Sequence, residues 1–477
     1  MNNLKIYNTL SGKKELFKPL KNKKINIFVC GPTVYDYSHL GHARTYIIFD
    51  AFVKYLKVCG FNVIYIQNIT DLDDKIIIRA KERGVPSKDL ARAYEKEHLK
   101  NMKDLKITGV TKYARATDCI KEIISQVERL QNKGYAYKIN GDGIYYNIAK
   151  FKKYGKLSGR TVIQAEDSVS RIDYSKNKKN RGDFCLWKFS SIEGEPKWKS
   201  PFGLGRPGWH IEDTAITEKF FGAQYDIHGG GHDLIFPHHE AEISQMEAIS
   251  GKAPMAKYWM HAGFLTVNGQ KMSKSVGNFI TINDFLMKHP VNYLRFLIVK
   301  NLWRSQIDYS ESIMIEIKTT LHKIEDFLKR IKSIKNKQQV INKTDKLKVE
   351  NKIKKLKEDF YKQLDDDFNT PKAFATIFDF IRKTNQFLDN NIVSKKQADD
   401  IYKFFEKINN IFGIIDFKKI TANQKKTVPA QIKTLVQTRE KYRKEKEWKK
   451  ADEVRLEIEK QGFLIEDTKA GPAIKRI

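Results

Sequence analysis

The strongest constraint in this sequence is an alternation packed into its first 75 residues. Ile25–Cys30 (INIFVC) is a short apolar run rich in β-branched residues and reads as a buried strand. A polar, glycine-bearing loop, Gly31–His39, follows. Thr45–Val58 then carries Ile48, Phe52, Tyr55 and Leu56 at helical spacing, and Gly60 closes that helix. Asn62–Ile66 (NVIYI) reads as a second strand. Two strands joined by a helix in so short a span must run parallel, because a crossover and not a hairpin connects them. Parallel strands need both faces covered, so the fold class is α/β with a doubly wound parallel sheet.

The rest of the chain of 477 residues holds more than this unit. Residues 116–204 are loop-rich, with Lys176–Arg181 (KNKKNR) and the stretch Gly194–Gly208, and read as an insertion or a second domain. Strand patterning resumes at Tyr225–His228, runs into Gly229-Gly230-Gly231, and is followed by a helix from about Pro237 to Ile249. Gly263–Val267 leads into Asn268-Gly269, a hairpin signal. From about residue 313 the apolar spacing is helical. Pro429 opens a last segment, and Gly462 closes its final helix.

Composition excludes several classes. No run approaches the 18 or so apolar residues of a membrane span. The start, MNNLKIYNTL, lacks a secretory design. Four scattered cysteines cannot staple a disulfide scaffold, so a reduced, cytoplasmic enzyme is expected. The formal charge of +31 points to a polyanion. Of the 88 basic residues, however, 70 are Lys and 18 Arg, as a compositional bias would also give. Residues 321–360 carry 13 basic and 6 acidic residues, and 426–477 carry 14 and 9. The ordinary reading of such runs is a solvated helix face.

Two short motifs carry chemistry. His39-Leu40-Gly41-His42 sits between the first strand and its helix. Histidines three apart at a helix N-terminus share a face, and that end favours anions. Alone, they are two ordinary helix-end histidines. Lys271-Met272-Ser273-Lys274-Ser275 follows the hairpin signal. Two lysines among small hydroxyl residues suit a pyrophosphate leaving group. Alone, they are an exposed loop.

Together the two motifs, about 230 residues apart, resemble the signature of class I aminoacyl-tRNA synthetases. Val29–Asp36 (VCGPTVYD), Asn68–Ile76 (NITDLDDKI), Gly208–Glu212 (GWHIE), His228–Glu242 (HGGGHDLIFPHHEAE) and Asp366–Pro371 (DDFNTP) resemble the cysteinyl-tRNA synthetase family. The resemblance runs from about residue 4 to the C-terminus and implies the following architecture. A Rossmann-type catalytic domain spans 1–115 and 205–312, with an inserted connective domain at 116–204. A helical bundle spans 313–425, and a small anticodon-binding domain 426–477.

The resemblance also implies ATP-dependent activation of L-cysteine and its transfer to the terminal adenosine of tRNA(Cys), with Mg2+ accompanying ATP. A monomer is expected. His39, His42, Lys271 and Lys274 would be catalytic. His39, Gly41, His42, Gly229, Gly230, Gly231, Asp233 and Lys274 would surround the nucleotide. Gly31, Thr70 and Trp209 would hold the amino and carboxylate groups of cysteine.

Serine differs from cysteine by one heteroatom, and an apolar pocket separates such near-isosteres poorly. The family uses one zinc ion as receptor for the substrate thiolate, since zinc prefers sulfur. Its ligands map to Cys30, His238 and Glu242; Glu240 falls off the shared helix face. The family's second cysteine follows Gly-Trp-His-Ile-Glu, where this chain has Asp213. Asp213 is expected to ligate in its place; the alternative is water. Asp71, Asp73 and Asp74 are expected in a solvated loop rather than a metal cluster.

At the carboxyl end, Arg443, Trp448, Asp452 and Asp467 match positions the family uses for the anticodon. The ordinary reading of that region is a helical hairpin with a core of Ala451, Val454 and Ile458. The family often has Trp where this chain has Ile474. Two other functions remain open. One is a cysteine ligase of low-molecular-weight thiol synthesis, which would lack the anticodon end. The other is a non-catalytic RNA-binding paralogue, which would have lost a signature residue.

Overall fold

A computed structural model describes residues 3–160, 175–190, 194–274, 276–335, 341–421, 429–468 and 471–476. Ser275 and residues 426–428, both within the segments considered above, lie outside the described residues. The chain forms two compact units, Met1–Ile420 and Thr421–Ile477.

The first unit is built on a five-stranded sheet. Its strands are β1 (Lys24–Val29), β2 (Asn62–Ile69), β3 (Lys112–Arg115), β4 (Tyr225–Gly231) and β5 (Ala256–Ala262). The spatial order is β5-β4-β1-β2-β3, and every pairing is parallel. The doubly wound sheet expected from the first 75 residues is therefore present. The chain moves outward from β1 to β2 and β3, then returns to place β4 on the other side of β1. The crevice at the carboxyl ends of β1 and β4 is thus the point where strand order reverses, and open α/β sheets bind ligands there.

Helix α1 (Leu40–Val58) starts five residues earlier than its apolar spacing suggests. The reason is a cap, because His39 accepts a hydrogen bond from the Gly41 N–H. The helix is buried nearly all round, with Ile47, Phe49, Ala51, Phe52 and Tyr55 all fully buried. One exception to its apolar character is Asp50. Its carboxylate accepts from Arg295 (2.9 Å), Lys54 (2.7 Å) and the Thr108 and Gly109 N–H groups (2.9 and 2.8 Å). With four donors, this buried charge is satisfied and fixes the helix against its neighbours.

The stretch before β4 is more regular than its composition suggests. Four short strands, Ala136–Ile139, Gly143–Tyr146, Phe184–Phe189 and Gly205–Pro207, form an antiparallel sheet in that order. Helix α2 (Ile211–Phe221) follows it. The helix expected from Pro237 instead begins at Glu240, as α3 (Glu240–Ser250), after a wide turn over Ile235–His239 in which Phe236 is extended. The hairpin after β5 joins Leu265–Val267 to Gln270–Lys271. Asn268 and Gly269, both at positive φ (51° and 76°), make its turn.

Four long helices close the unit: Glu311–Ser333, Lys343–Asp365, Thr370–Asp389 and Lys395–Phe412. Their apolar stripes pack inward, as with Ile317, Leu321, Ile324 and Leu328 on the first. The second unit pairs helices Ala430–Lys444 and Trp448–Lys460 with the hairpin Phe463–Thr468/Gly471–Arg476. Its core is Ile432, Val436, Ile458, Phe463 and Ile465, with Val454 and Ile474 packed against it. Among the described residues no helix is long and apolar enough to cross a membrane.

Candidate functional site

The crevice at the strand reversal opens into a cleft of about 410 Å³. Cys30, Gly31, Thr70, Trp209, Asp213 and His238 line its floor; His39, Gly41, His42, Lys271 and Lys274 line its mouth.

The floor is assembled from four segments. Cys30 follows β1, and its N–H donates to the Gly229 carbonyl (3.0 Å). Gly31 comes next, where a Cβ would lie 1.8 Å from the Asn68 carbonyl oxygen, so only glycine lets the chain pass. Asn68 and Thr70 end β2 and the bridge beyond it. Asp213 stands in the first turn of α2, and His238 and Glu242 flank the start of α3.

The donor atoms of Cys30, Asp213, His238 and Glu242 all lie within 4.8 Å of one another. Cys30 Sγ is 3.3 Å from Asp213 Oδ2 and 3.9 Å from Glu242 Oε1. His238 Nε2 is 3.1 Å from Asp213 Oδ2 and 3.0 Å from Glu242 Oε1. All four side chains are buried. The other nitrogen of His238, Nδ1, is 2.9 Å from His210 Nδ1, which sets the ring so that Nε2 faces the cluster.

Burial and the neighbouring Asp213 and Glu242 charges push the Cys30 thiol well up. Burial, then Asp213 and Glu212, pushes Glu242 up; burial and Asp213 do the same to Glu212. Glu242 Oε2 is buried without a hydrogen bond and faces His228 Nε2 at 3.3 Å. Several buried acids crowd one point, and none of the ion pairs formed by the described residues brings a Lys or Arg to them. Such a group is stable when a divalent cation sits among it, and one thiolate, one imidazole and two carboxylates suit a borderline-soft ion. Glu240, by contrast, points away: its carboxylate accepts from the Leu157 and Ser158 N–H groups (3.0 and 2.9 Å).

A second set overlaps the first. Cys30 and Glu242 also lie within 4.8 Å of His228 and His239. His239 Nε2 is 3.1 Å and His228 Nε2 3.5 Å from Cys30 Sγ. Burial holds both imidazoles well below their usual range, so they are neutral and can donate to the Cys30 sulfur. Neither was singled out from the sequence, although both stand in the quoted HGGGHDLIFPHH stretch.

Trp209 is 37 % exposed and stacks on His238, with ring centroids 4.3 Å apart at 20°. Its indole is thus a wall of the cleft and not core. Thr70 is buried and donates to Glu212 (2.7 Å).

At the mouth, the two histidines cap the helix reciprocally. His39 Nδ1 accepts from the Gly41 N–H (3.0 Å), and His42 Nδ1 accepts from the His39 N–H (3.3 Å). With both Nδ1 atoms accepting, the proton of each neutral ring is on Nε2. Burial, then Lys274, pulls His39 down to about 4, and burial with His39 and His98 holds His42 well below its usual range. The pair therefore offers two neutral N–H donors.

The lysine loop folds against this cap. Phe279 meets the His39 ring edge-on at 5.1 Å, and a Cβ on Gly41 would lie 3.5 Å from Met272 Cε. Lys274 pairs with Asp36 of the first loop.

Not every expected nucleotide residue is here. Gly231 and Asp233 line the cleft, whereas Gly229 and Gly230 do not. A Cβ on Gly229 would lie 2.2 Å from Phe49 Cζ, and one on Gly230 2.8 Å from His239 Cε1. These two glycines serve the packing of α1 and His239 against β4. The solvated loop expected at Asp71, Asp73 and Asp74 is also replaced. Asp71 is buried, bonded to Thr117 (2.6 and 3.0 Å) and paired with Arg92. Asp73 caps the next helix, and Asp74 pairs with Arg206 and Lys188.

In the second unit, Trp448 is 59 % exposed and Asp452 is exposed one helical turn on. Arg443 and Asp467 are instead joined to each other (2.6 Å), and Asp467 also holds the buried Arg439 (2.9 Å).

Comparison with known proteins supplies the context. The family model for tRNA synthetases class I (C) catalytic domain matches residues 16–319, and that for the DALR domain matches 359–416. A cysteine–tRNA ligase of Thermococcus onnurineus (strain NA1) is 42% identical over 483 residues, covering 99% of each chain. That of Thermoplasma volcanium is 43% identical over 462 residues, covering 97% of each. The fold is similar to Mycobacterium tuberculosis methionyl-tRNA synthetase in complex with methionyl-adenylate. That likeness has TM-score 0.60 and 15% identity, and covers 81% of this chain and 89% of the other.

Proposed function

The chain belongs to the cysteine–tRNA ligase family of class I tRNA synthetases, and from that premise we propose that it activates L-cysteine with ATP and transfers it to tRNA(Cys). The observation that carries this reading is one cleft whose floor includes Cys30, Asp213 and His238, grouped with the buried Glu242, and whose mouth carries residues of both signatures. The match extends over nearly the whole chain, including the DALR region and the C-terminal unit. That extent favours a tRNA ligase over a cysteine ligase of small-thiol synthesis. Intact His39, His42, Lys271 and Lys274 disfavour a paralogue without catalysis.

In this reading residues 1–115 and 205–312 are the catalytic domain, 116–204 the connective insertion, 313–425 the helical bundle and 426–477 the anticodon-binding domain. The protein acts in the cytoplasm as a monomer, with Mg2+ accompanying ATP.

Cysteine lies with its side chain toward the floor, and Gly31, Thr70 and Trp209 hold its amino and carboxylate groups. Cys30, Asp213, His238 and Glu242 would hold the zinc ion, which would supply a borderline-soft Lewis acid that favours a thiol over a hydroxyl. A substrate carboxylate oxygen attacks the α-phosphorus; that bond forms as the bond to the bridging oxygen breaks, and pyrophosphate leaves. The Nε2–H groups of His39 and His42 donate to phosphate oxygens. Lys271 and Lys274 neutralise the charge growing on the leaving group. The hydroxyl of the terminal adenosine then attacks the acyl carbon, and AMP departs. The protein's contribution is position and charge, without a covalent enzyme intermediate. Gly231 and Asp233 bound the nucleotide side. Trp448 and Asp452 offer an exposed stacking ring and a base-amino acceptor for the anticodon, with Arg443 and Asp467 beside them.

The test is pyrophosphate exchange with cysteine and serine, followed by charging of tRNA(Cys) transcript. Cysteine-dependent exchange and stable cysteinyl-tRNA are expected. Exchange without tRNA charging would contradict the assignment.

A further inference from the structure

The Asp213 carboxylate has two oxygens, and only one faces the cluster. Oδ2 points to Cys30 Sγ (3.3 Å) and His238 Nε2 (3.1 Å). Oδ1 accepts a 2.6 Å hydrogen bond from the side-chain amide of Asn68, which is 145 residues away in sequence and 2 % exposed. We propose that Asn68 is a positioning residue that holds Asp213 as a one-oxygen ligand; this rests on the zinc reading above.

The hydrogen bonds run in one direction. The Gly31 N–H donates to Asn68 Oδ1, so a flipped amide would set donor against donor. Asn68 Nδ2 therefore faces Asp213, and also reaches Thr70 Oγ1 (3.3 Å). Thr70 Oγ1 spends its own proton on Glu212 Oε1 (2.7 Å), leaving a lone pair for Asn68. Both polar atoms of the buried Asn68 amide are thus directed by partners.

The geometry answers a problem that a carboxylate at position 213 raises. A thiolate presents one donor atom, and nothing is needed to choose it. A carboxylate can turn, or chelate with both oxygens, and its unused oxygen is costly to bury without a partner. Asn68 supplies that partner and leaves Oδ2 alone for the cation. The same amide holds Gly31 and Thr70, the residues assigned to the amino acid. Loss of activity on removing Asn68 is therefore ambiguous, and the readout must be the metal itself.

The experiment is a cycle on the full-length protein: wild type, Asn68→Ala, Asp213→Cys and the double variant. Bound zinc is counted by elemental analysis, and its release into a chromophoric chelator is timed. Thermal melts check folding, and Asn68→Ser, which keeps an acceptor for the Gly31 N–H, stands in should Asn68→Ala not fold. The expected result is release about 10- to 100-fold faster in Asn68→Ala than in wild type, the usual scale for an outer-shell partner. In the Asp213→Cys background the same change alters release by less than about twofold, because a thiolate offers no second oxygen to hold. Equal release in wild type and Asn68→Ala, or equal acceleration in both backgrounds, overturns the proposal. A wild-type protein with no bound zinc overturns the zinc reading itself, a distinguishable outcome.

Discussion

Lys274 of the lysine loop is paired with Asp36 of the first loop, and the same Asp36 carboxylate holds the Arg79 guanidinium at 3.2 Å. Burial raises the Asp36 carboxyl, but the Lys274 hydrogen bond, the Tyr37 N–H and the Lys274 and Arg79 charges together outweigh it, and the group titrates below its ordinary value. In the role assigned to it, Lys274 must exchange this partner for pyrophosphate oxygens. Asp36→Asn removes the competitor. The Michaelis constant for ATP in cysteine-dependent exchange should fall by up to about fivefold, the scale of a partly exposed ion pair. No change, or a rise, would show that Asp36 aids Lys274 and does not compete for it.

The reciprocal caps at His39 and His42 make a pH prediction. Burial first, then Lys274, places His39 at about 4 in the folded chain, below its ordinary value near 6.5. His98, also buried, lies at about 3, and His42 well below its ordinary value. Unfolded histidines bind protons below about pH 6.5 that these do not, so unfolding takes up protons there. Stability is fully present above pH 6.5 and is lost as pH falls toward 4. Melts at several pH values should show uptake of about three protons from these groups near pH 5. The exchange rate should show no break near 6.5 from His39 or His42; a break there that vanishes in His39→Asn would contradict neutral donors.

Gly229 gives a packing prediction. A Cβ there would meet the Phe49 ring at 2.2 Å, and both sit in the first unit's core. Gly229→Ala should destabilise the fold by about 1–3 kcal/mol, and Gly229→Ala/Phe49→Leu should recover part of it. A wild-type melting temperature for Gly229→Ala would refute the packing role.

These cases show what the sequence can and cannot display. The βαβ unit was legible because apolar period and glycine punctuation are local. So were Cys30, His238, Glu242 and the two signatures, because each stands in a motif. The purpose of Gly229 was not, since Phe49 lies on another element. Asn68 and Asp213 meet only through the fold, and an asparagine carries no mark of its partner. The four-stranded sheet before α2 was hidden because its strands are only three to six residues long, too short for a period to emerge. Asp71 and Asp74 read as solvated because their partners, Arg92, Thr117 and Arg206, are remote in sequence.

Trp448 tests the carboxyl end. Stacking on an unpaired base contributes about 1–3 kcal/mol, so Trp448→Ala should lower kcat/KM for tRNA charging by about 5- to 150-fold. Cysteine-dependent pyrophosphate exchange, which needs no tRNA, should stay at the wild-type rate. Equal losses in both assays would place the effect in folding and not in recognition.

In the proposed function, Cys30, Asp213, His238 and Glu242 hold a zinc ion that selects cysteine. The most direct measurement is elemental analysis of the purified full-length protein, paired with cysteine and serine exchange before and after chelator treatment. One zinc per chain is expected, with cysteine exchange lost on its removal, restored on its return, and serine exchange negligible throughout. Full cysteine exchange from protein holding no stoichiometric zinc would contradict it.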